Sequence, residues 1–324
     1  TVNEGVQAPG DVTLRTAAGA DLTTSAGTNG IGSLDGTLSL DAGRDLLLGT
    51  ASNFGDVTGR VLTLTAGQDV IASNITYAQG GTGVTATAGR NITIQGDSLI
   101  NSTGGGAPVS LTTGTGGILT INNSIPGRGS ATSLGGLLTV TADDVVLTAG
   151  GLNSSGNVIL RPVSAGRTIN LGTNVVGSLG LTDAELDLVS AGTLIVGRDD
   201  ANAAGTITVG ANLTLSTNVT LVTGAGVTGS SSLAIGAAST TTLTVRQSGT
   251  STFGGILGGP GANENNFNFS FEGPGTLTLT GSNTYTGATT IGGGTLAVST
   301  LASGGAASGI GAATNVATNL VFGG

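Results

Sequence analysis

The chain has 324 residues, 61 of them glycine, and sets nine arginines against eighteen acidic side chains for a formal net charge of −9, with no lysine, histidine or cysteine. That composition excludes disulfide and thiolate chemistry and leaves no imidazole to act as a base near neutral pH. An acidic surface without a basic cluster also makes nucleic acid and anionic membranes poor partners.

Residues 1–36 echo a pattern that becomes regular afterwards, and they are read as degenerate N-terminal rungs or a cap. From Thr37 the stretch TLSLDAGRDLLL returns as VLTLTAGQDVIA from Val61, VTATAGRNITI from Val84 and LLTVTADDVVL from Leu137. Within each copy the apolar residues alternate, as in Leu38, Leu40, Leu46 and Leu48, which is the period of a strand. The turns fall at Gly19, Gly43, Gly67, Gly89, Gly116, Asp143, Gly166, Gly192 and Ala211, a recurrence that marks stacked repeats. The expected fold is all-β, a single-stranded β-helix (β-solenoid) of about 12–13 rungs of roughly 19–27 residues. Repeats occupy 37–250, and 251–324 continue the solenoid to an open C-terminal end.

Stacking the regular rungs sets Asp45 over Asp69 over Asn91, and Arg44 over Gln68 over Arg90, so that arginines screen the carboxylates. Glycine-rich inserts at 104–106 and 126–129 are expected to leave the rungs as loops. Further on, Asp183, Glu185 and Asp187 in LTDAELDLV would share one outer face if that stretch is a strand. The competing readings are a calcium or catalytic cleft with Arg161, as in a pectate-lyase-like β-helix, and an ion pair between Asp187 and Arg161 one rung away. Aligning the two VSAG motifs at 163–166 and 189–192 favours the ion pair. Thr206, Thr208, Thr214, Thr220, Thr242 and Thr244 suit exposed strand faces, and their unequal spacing disfavours a flat ice-binding array. The alternation of Phe267, Phe269 and Phe271 sends three rings to one face, as a wider core or a plug.

Two resemblances follow from these residues. SLDAGRDLLL, LTAGQDVIAS and ATAGRNITIQ resemble the repeats of filamentous-haemagglutinin-type exoproteins. The run from Phe253 to Ser299, with GTLTLTG at 275–281, NTYTG at 283–287 and Gly294-Thr295-Leu296, resembles the autotransporter-associated β-strand repeat, also called the passenger-associated transport repeat. That resemblance implies a secreted or surface-displayed passenger whose repeat assists export and nucleates the β-helix. Leu277, Leu279, Ile291, Leu296 and Val298 are expected in the core, and Tyr285 is expected to cover an edge with its hydroxyl in water. Asn319, Leu320, Val321 and Phe322 begin a further strand with no polar cap, an edge able to pair with a second copy or with the rest of a longer exoprotein.

The chain is therefore expected to be a non-catalytic, secreted adhesin stalk or filament subunit that needs no cofactor and has no membrane span of its own. A host or surface glycan is a further expected partner, and a carbohydrate-active β-helix is the alternative.

Overall fold

The computed structural model describes all residues except 3–4, 25–29, 50–56, 74–77, 97, 99, 104, 124–130, 134–135 and 324. The second expected loop insert, 126–129, and Gly104 of the first lie outside the described residues. Two compact units are present: Thr1–Val163 with Leu188–Gly192, and Ser164–Asp187 with Thr193–Gly324. Among the described residues the regular structure is strand, apart from the helix Asp183–Leu186 and the 3-10 turn Ala317–Asn319. The fold is a β-solenoid of parallel rungs.

In the first unit each rung offers three strand positions. Val6–Ala8, Ile31–Ser33 and the leading halves of Val57–Ala66 and Ala78–Ala88 stack at the first position, followed by Ile100–Ser102, Ala131–Ser133 and Leu152–Ser154. Val12–Arg15, Thr37–Ala42, the trailing halves of the two long strands, Val109–Thr112, Leu138–Thr141 and Asn157–Arg161 fill the second. Leu22–Thr23, Leu46–Leu48, Val70–Ser73, Ile92–Gly96, Ile118–Asn123 and Asp144–Ala149 fill the third.

This register converts the alternation of the sequence into columns. Val12, Leu38, Leu62, Val84, Val109, Leu138 and Val158 lie one above another, and so do Leu22, Leu46, Val70, Ile92, Leu119 and Val145; all are buried. Burying one such aliphatic side chain stabilises by about 1.5–3 kcal/mol, so the columns are the main source of cohesion between rungs.

Two devices hold the corner after the second strand. Gly67 lies over Gly43 and Gly89 over Gly67, and a Cβ at either position would fall inside contact distance of the carbonyl oxygen one rung earlier. Glycine is required there by the closeness of the stack rather than by a left-handed backbone. Beside it runs a ladder of short acceptors. Asp21 Oδ1 accepts from the Asp45 amide at 3.2 Å and Asp45 Oδ1 from the Asp69 amide at 3.1 Å. Asp69 Oδ1 then accepts from the Asn91 amide at 3.0 Å and Asn91 Oδ1 from the Ile118 amide at 2.9 Å. Arg44 Nε donates to Asp21 at 2.7 Å, and Arg90 Nε to Asp69 at 2.8 Å. Each expected arginine thus grips the carboxylate of the rung before its own. Those hydrogen bonds from arginine hold the carboxyls of Asp21 and Asp69 below the usual range.

The turn expectations need three corrections. Gly114, not Gly116, stacks over Gly89, because Thr115 and Gly116 bulge outward and Gly116 takes a positive φ of 73°. Gly192 donates to Gly156 at 2.7 Å within the first unit, whereas Gly205 is the residue that crowds Gly166 in the second. Ala211 sits against Gly172 at another corner. The two VSAG motifs are therefore not equivalent rung positions.

In the second unit Thr193–Arg198, Asn218–Thr223, Thr241–Gln247, Phe267–Glu272, Thr289–Ile291 and Leu320–Phe322 stack in parallel. A second stack runs from Leu179–Leu181 through Ile169–Leu171, Ile207–Val209, Val227–Gly229, Thr250–Phe253 and Thr276–Leu279 to Thr295–Val298. Its core columns widen with distance along the chain: Leu194, Val219 and Leu243 are followed by Phe269, and Val196, Leu221 and Val245 by Phe271.

Candidate functional site

The acidic triplet is organised differently from expectation. Asp183, Glu185 and Asp187 do not lie on a strand. Thr182 caps the helix Asp183–Leu186: its hydroxyl accepts from the Glu185 amide, and the Glu185 carboxylate accepts from the Thr182 amide at 2.9 Å and hydroxyl at 2.7 Å. Asp187 is the C-cap, and Asp183 Oδ1 accepts from the Thr214 amide at 3.4 Å. Glu185 and Leu186 are buried. The three carboxylates consequently do not share a face, and the strand alternation on which the expected Asp187–Arg161 ladder was based is replaced by a turn of helix; Arg161 Nε donates to Thr141 Oγ1 at 2.9 Å. The signal was present as T-x-x-E, the capping-box spacing. Among the described residues no three of His, Asp, Glu and Cys gather to hold a metal.

Threonines of the second unit form several short columns rather than one array. Thr220, Thr244, Ser270 and Thr290 are in register on successive rungs. Thr242 instead stands between Asn218 and Asn268, and its amide donates to Asn218 Oδ1 at 2.9 Å. Thr208 belongs to the other stack, where its hydroxyl is 3.2 Å from that of Thr228. Thr214 donates to Glu264 Oε1 at 3.2 Å, and Thr206 precedes the strand Ile207–Val209.

Aromatic packing surrounds the rung that carries NTYTG. Phe267, Phe269 and Phe271 are fully buried. Tyr285 is also fully buried, stacked on Phe267 with ring centroids 5.5 Å apart and tilted against Phe269 at 5.9 Å. Its hydroxyl is not in water as expected. It lies 2.7 Å from Thr289 Oγ1, which itself donates to the Ile310 carbonyl at 3.2 Å, so the phenol is the donor of the pair. Burial pushes the Tyr285 phenol well above the ordinary tyrosine value. The reason the ring turns inward is local. Phe269 is followed in register by Thr289, a small side chain, and Tyr285 fills the space that this leaves.

Asn283 fixes the same rung and was not singled out from sequence. Fully buried, it accepts from the Leu257 amide at 2.9 Å and donates to the Gly309 carbonyl at 2.9 Å, while its own amide donates to the Ser308 carbonyl at 2.9 Å. One side chain therefore ties three successive passes of the chain. Asn265 does similar work, accepting from Thr284 Oγ1 at 2.6 Å and from the Gly259 amide at 3.0 Å. Leu277 and Leu279 are buried, whereas Ile291, Leu296 and Val298 are only half-buried.

Asn319 closes the 3-10 turn and donates to the Thr314 carbonyl at 2.8 Å. The strand Leu320–Phe322 pairs with Thr289–Ile291, with Leu320 38%, Val321 40% and Phe322 71% exposed. No helix among the described residues is long and apolar enough to cross a membrane.

Residues 272–298 match the family described as passenger-associated-transport-repeat, and those residues are the rung built around Asn283 and Tyr285. The adhesin BmaC autotransporter of Brucella suis biovar 1 (strain 1330) is 33% identical over 265 residues, which is 78% of this chain. The chain spans 7% of that protein's length. No solved structure matches the chain. The chain is a passenger-type, secreted cell-surface β-solenoid with the transport repeat toward its C-terminal end.

Proposed function

We propose that the chain is an adhesive, non-catalytic stretch of a longer exported passenger, in which stacked rungs present polar side chains to a target. The observation that carries the reading is the coincidence of the matched repeat with a densely cross-linked rung, where Asn283 and Tyr285 are buried and Tyr285 packs on the phenylalanines of the preceding pass. Similarity to a protein named as an adhesin supports the same reading. The repeat would act in export by being the part of the chain that folds first and templates the rungs before it. Glu185 and Asp187 are held by a capping box and a helix end, which favours a structural role for them over a carbohydrate-cleaving one.

The test is retention of purified chain on surfaces bearing host-cell matrix or glycan, beside a chain unfolded by substitution of Asn283. Dose-dependent retention of the folded chain alone is the expected result, and equal, weak retention of both would refute the reading.

Assembly is a second component. The strand Leu320–Phe322 carries exposed apolar side chains on a sheet that grows by parallel addition, which suits docking of a strand from a second copy. Light scattering and electron microscopy should then show concentration-dependent rods that Phe322→Asp abolishes. A monomer at every concentration would remove the filament idea.

A further inference from the structure

The first unit contains a groove of about 380 Å³ beside the first strand position, lined by Leu34, Asp35, Thr58, Arg60, Gln79 and Thr103 among others. Its shape follows from the backbone. The rungs run in register from Gly32 to Thr58 to Gln79, then shift between Gly59 and Val61, where Arg60 faces the longer pass through Gly81 and Thr82. Gly81 lies against the Arg60 backbone and adds no side chain beside it, whereas a Cβ on Gly59 would point toward Leu38. Arg60 is anchored through its main chain from both neighbouring rungs. Its amide donates to the Gly36 carbonyl at 2.9 Å, and its carbonyl accepts from Thr82 Oγ1 at 3.0 Å.

The charges in this groove are unusual for the molecule. Arg15, Arg44, Arg90, Arg198 and Arg246 each meet a carboxylate, Arg161 donates to Thr141 and Arg167 to the Ser178 carbonyl. Among the described residues Arg60 is the one arginine whose guanidinium meets no acceptor, and it is exposed. Asp35, in the same groove, is exposed and also carries no ion pair. A protein of net charge −9 in which the other described arginines all meet acceptors leaves this opposite pair without an ion pair, in a groove also lined by hydroxyl and amide groups.

We infer that this groove binds a sugar acid, the carboxylate seated on the Arg60 guanidinium and the ring hydroxyls shared among Asp35, Thr58, Gln79 and Thr103. A planar guanidinium offers two parallel N–H donors to a carboxylate. Asp35 accepts from hydroxyls and repels a second anionic group, and Gln79 both donates and accepts. The acidic field of the whole chain further selects against densely charged polymers, so a singly charged residue in an otherwise neutral glycan is the ligand that fits. An acidic peptide matches less well, because the lining provides many hydrogen-bonding groups and only one sizeable apolar contact, Leu34. This inference names a target chemistry for the adhesive reading and rests on it.

The experiment titrates the full chain, by calorimetry or ligand-observed NMR, with a sialic-acid-terminated trisaccharide, an oligogalacturonate, each sugar reduced at its carboxylate to the alcohol, and an aspartate-rich peptide. Binding of either acidic sugar, weakened about tenfold to a hundredfold by Arg60→Ala and by carboxylate reduction, with Arg15→Ala unchanged, is expected; which sugar binds separates a sialate from a uronate source. Arg60→Lys should retain only part of the affinity. Equal affinity for the reduced sugars, indifference to Arg60→Ala, preference for the peptide, or no binding to any probe would overturn the site. Circular dichroism of each variant keeps a folding defect distinct. Retention of the chain on a surface regardless of Arg60 would overturn the groove and leave adhesion standing, whereas Arg60-dependent sugar binding without surface retention would do the reverse.

Discussion

Replacing Tyr285 by phenylalanine separates a buried phenol from one that covers an edge with its hydroxyl in water. In the folded chain the hydroxyl donates to Thr289 Oγ1 at 2.7 Å inside a fully buried site. Removing it deletes one neutral hydrogen bond and leaves a lone pair of Thr289 unmet, for a loss of about 0.5–1.5 kcal/mol. Tyr285→Ala also removes the ring that stacks on Phe267 and Phe269, and truncating a buried aromatic costs about 3–5 kcal/mol. The order wild type, Tyr285→Phe, Tyr285→Ala should appear in guanidinium unfolding followed by far-ultraviolet circular dichroism.

The same residue sets a limb of the pH profile. Its folded pKa is raised by burial above the unfolded value, so its contribution is complete below about pH 10 and is lost as the pH rises through the folded value. In a Tyr77→Phe background Tyr285 is the one remaining tyrosine, and its absorbance should show tyrosinate appearing together with unfolding. Equal stability of wild type and Tyr285→Phe, combined with an ordinary reversible titration near pH 10, would refute the buried assignment.

Asn283→Ala should be among the most damaging single changes in the second unit. It strands the Leu257 amide and the Gly309 carbonyl, at about 1–3 kcal/mol for each buried group left unpaired, and hydrogen exchange should rise at both positions. Asp69→Asn keeps an oxygen for the Asn91 amide, as Asn91 does naturally for Ile118, but gives up the charge held by Arg90. Because the Asp69 pKa is depressed in the fold, its contribution is in place above about pH 4 and is lost as the pH falls through that depressed value. The variant should therefore show a shallower acid limb in thermal melts from pH 2 to 6. Gly67→Ala should destabilise by about 1–3 kcal/mol through overpacking against the Gly43 carbonyl, while Gly10→Ala, with open space around it, should be neutral. Glu185→Ala should cost about 0.5–2 kcal/mol through loss of the cap, and millimolar calcium should leave the melting temperature of wild type unchanged; a rise abolished by Asp183→Asn would reinstate a metal site.

The solenoid was legible because its two requirements are local. Alternating Leu, Val and Ile at every second position has one solution when copies recur, and the columns through Leu38, Leu62 and Val84 are that solution. The ladder of Asp45, Asp69 and Asn91 was legible for the same reason, although the partner of each arginine was not, since a long side chain can reach either adjoining rung. What escaped were places where a residue answers to a distant one. Tyr285 turns inward because Thr289 is too small to fill the column above Phe269, a vacancy visible only once register is known. The acidic triplet fits a strand as well as a helix over so short a stretch, and the T-x-x-E capping box, rather than the repeated VSAG, decides between them.

A chain with so few charges must place them where rungs can share them, and this has a consequence for binding. At the corners, short carboxylates face backbone amides one rung away and arginines close the remaining valence, so those charges are consumed by stacking. Faces made of threonine, serine and asparagine are left to meet the outside, and their spacing is set by the parallel register of about 4.8 Å per rung. Under the adhesive proposal such a face would recognise by many weak hydrogen bonds in a fixed repeat, which suits an extended, hydroxyl-rich polymer better than a compact protein epitope. Where the register slips, as between Gly59 and Val61, the repeat is interrupted, and the Arg60 charge, which stacking does not consume, is exposed, so under the same proposal it would be the group that discriminates among such polymers.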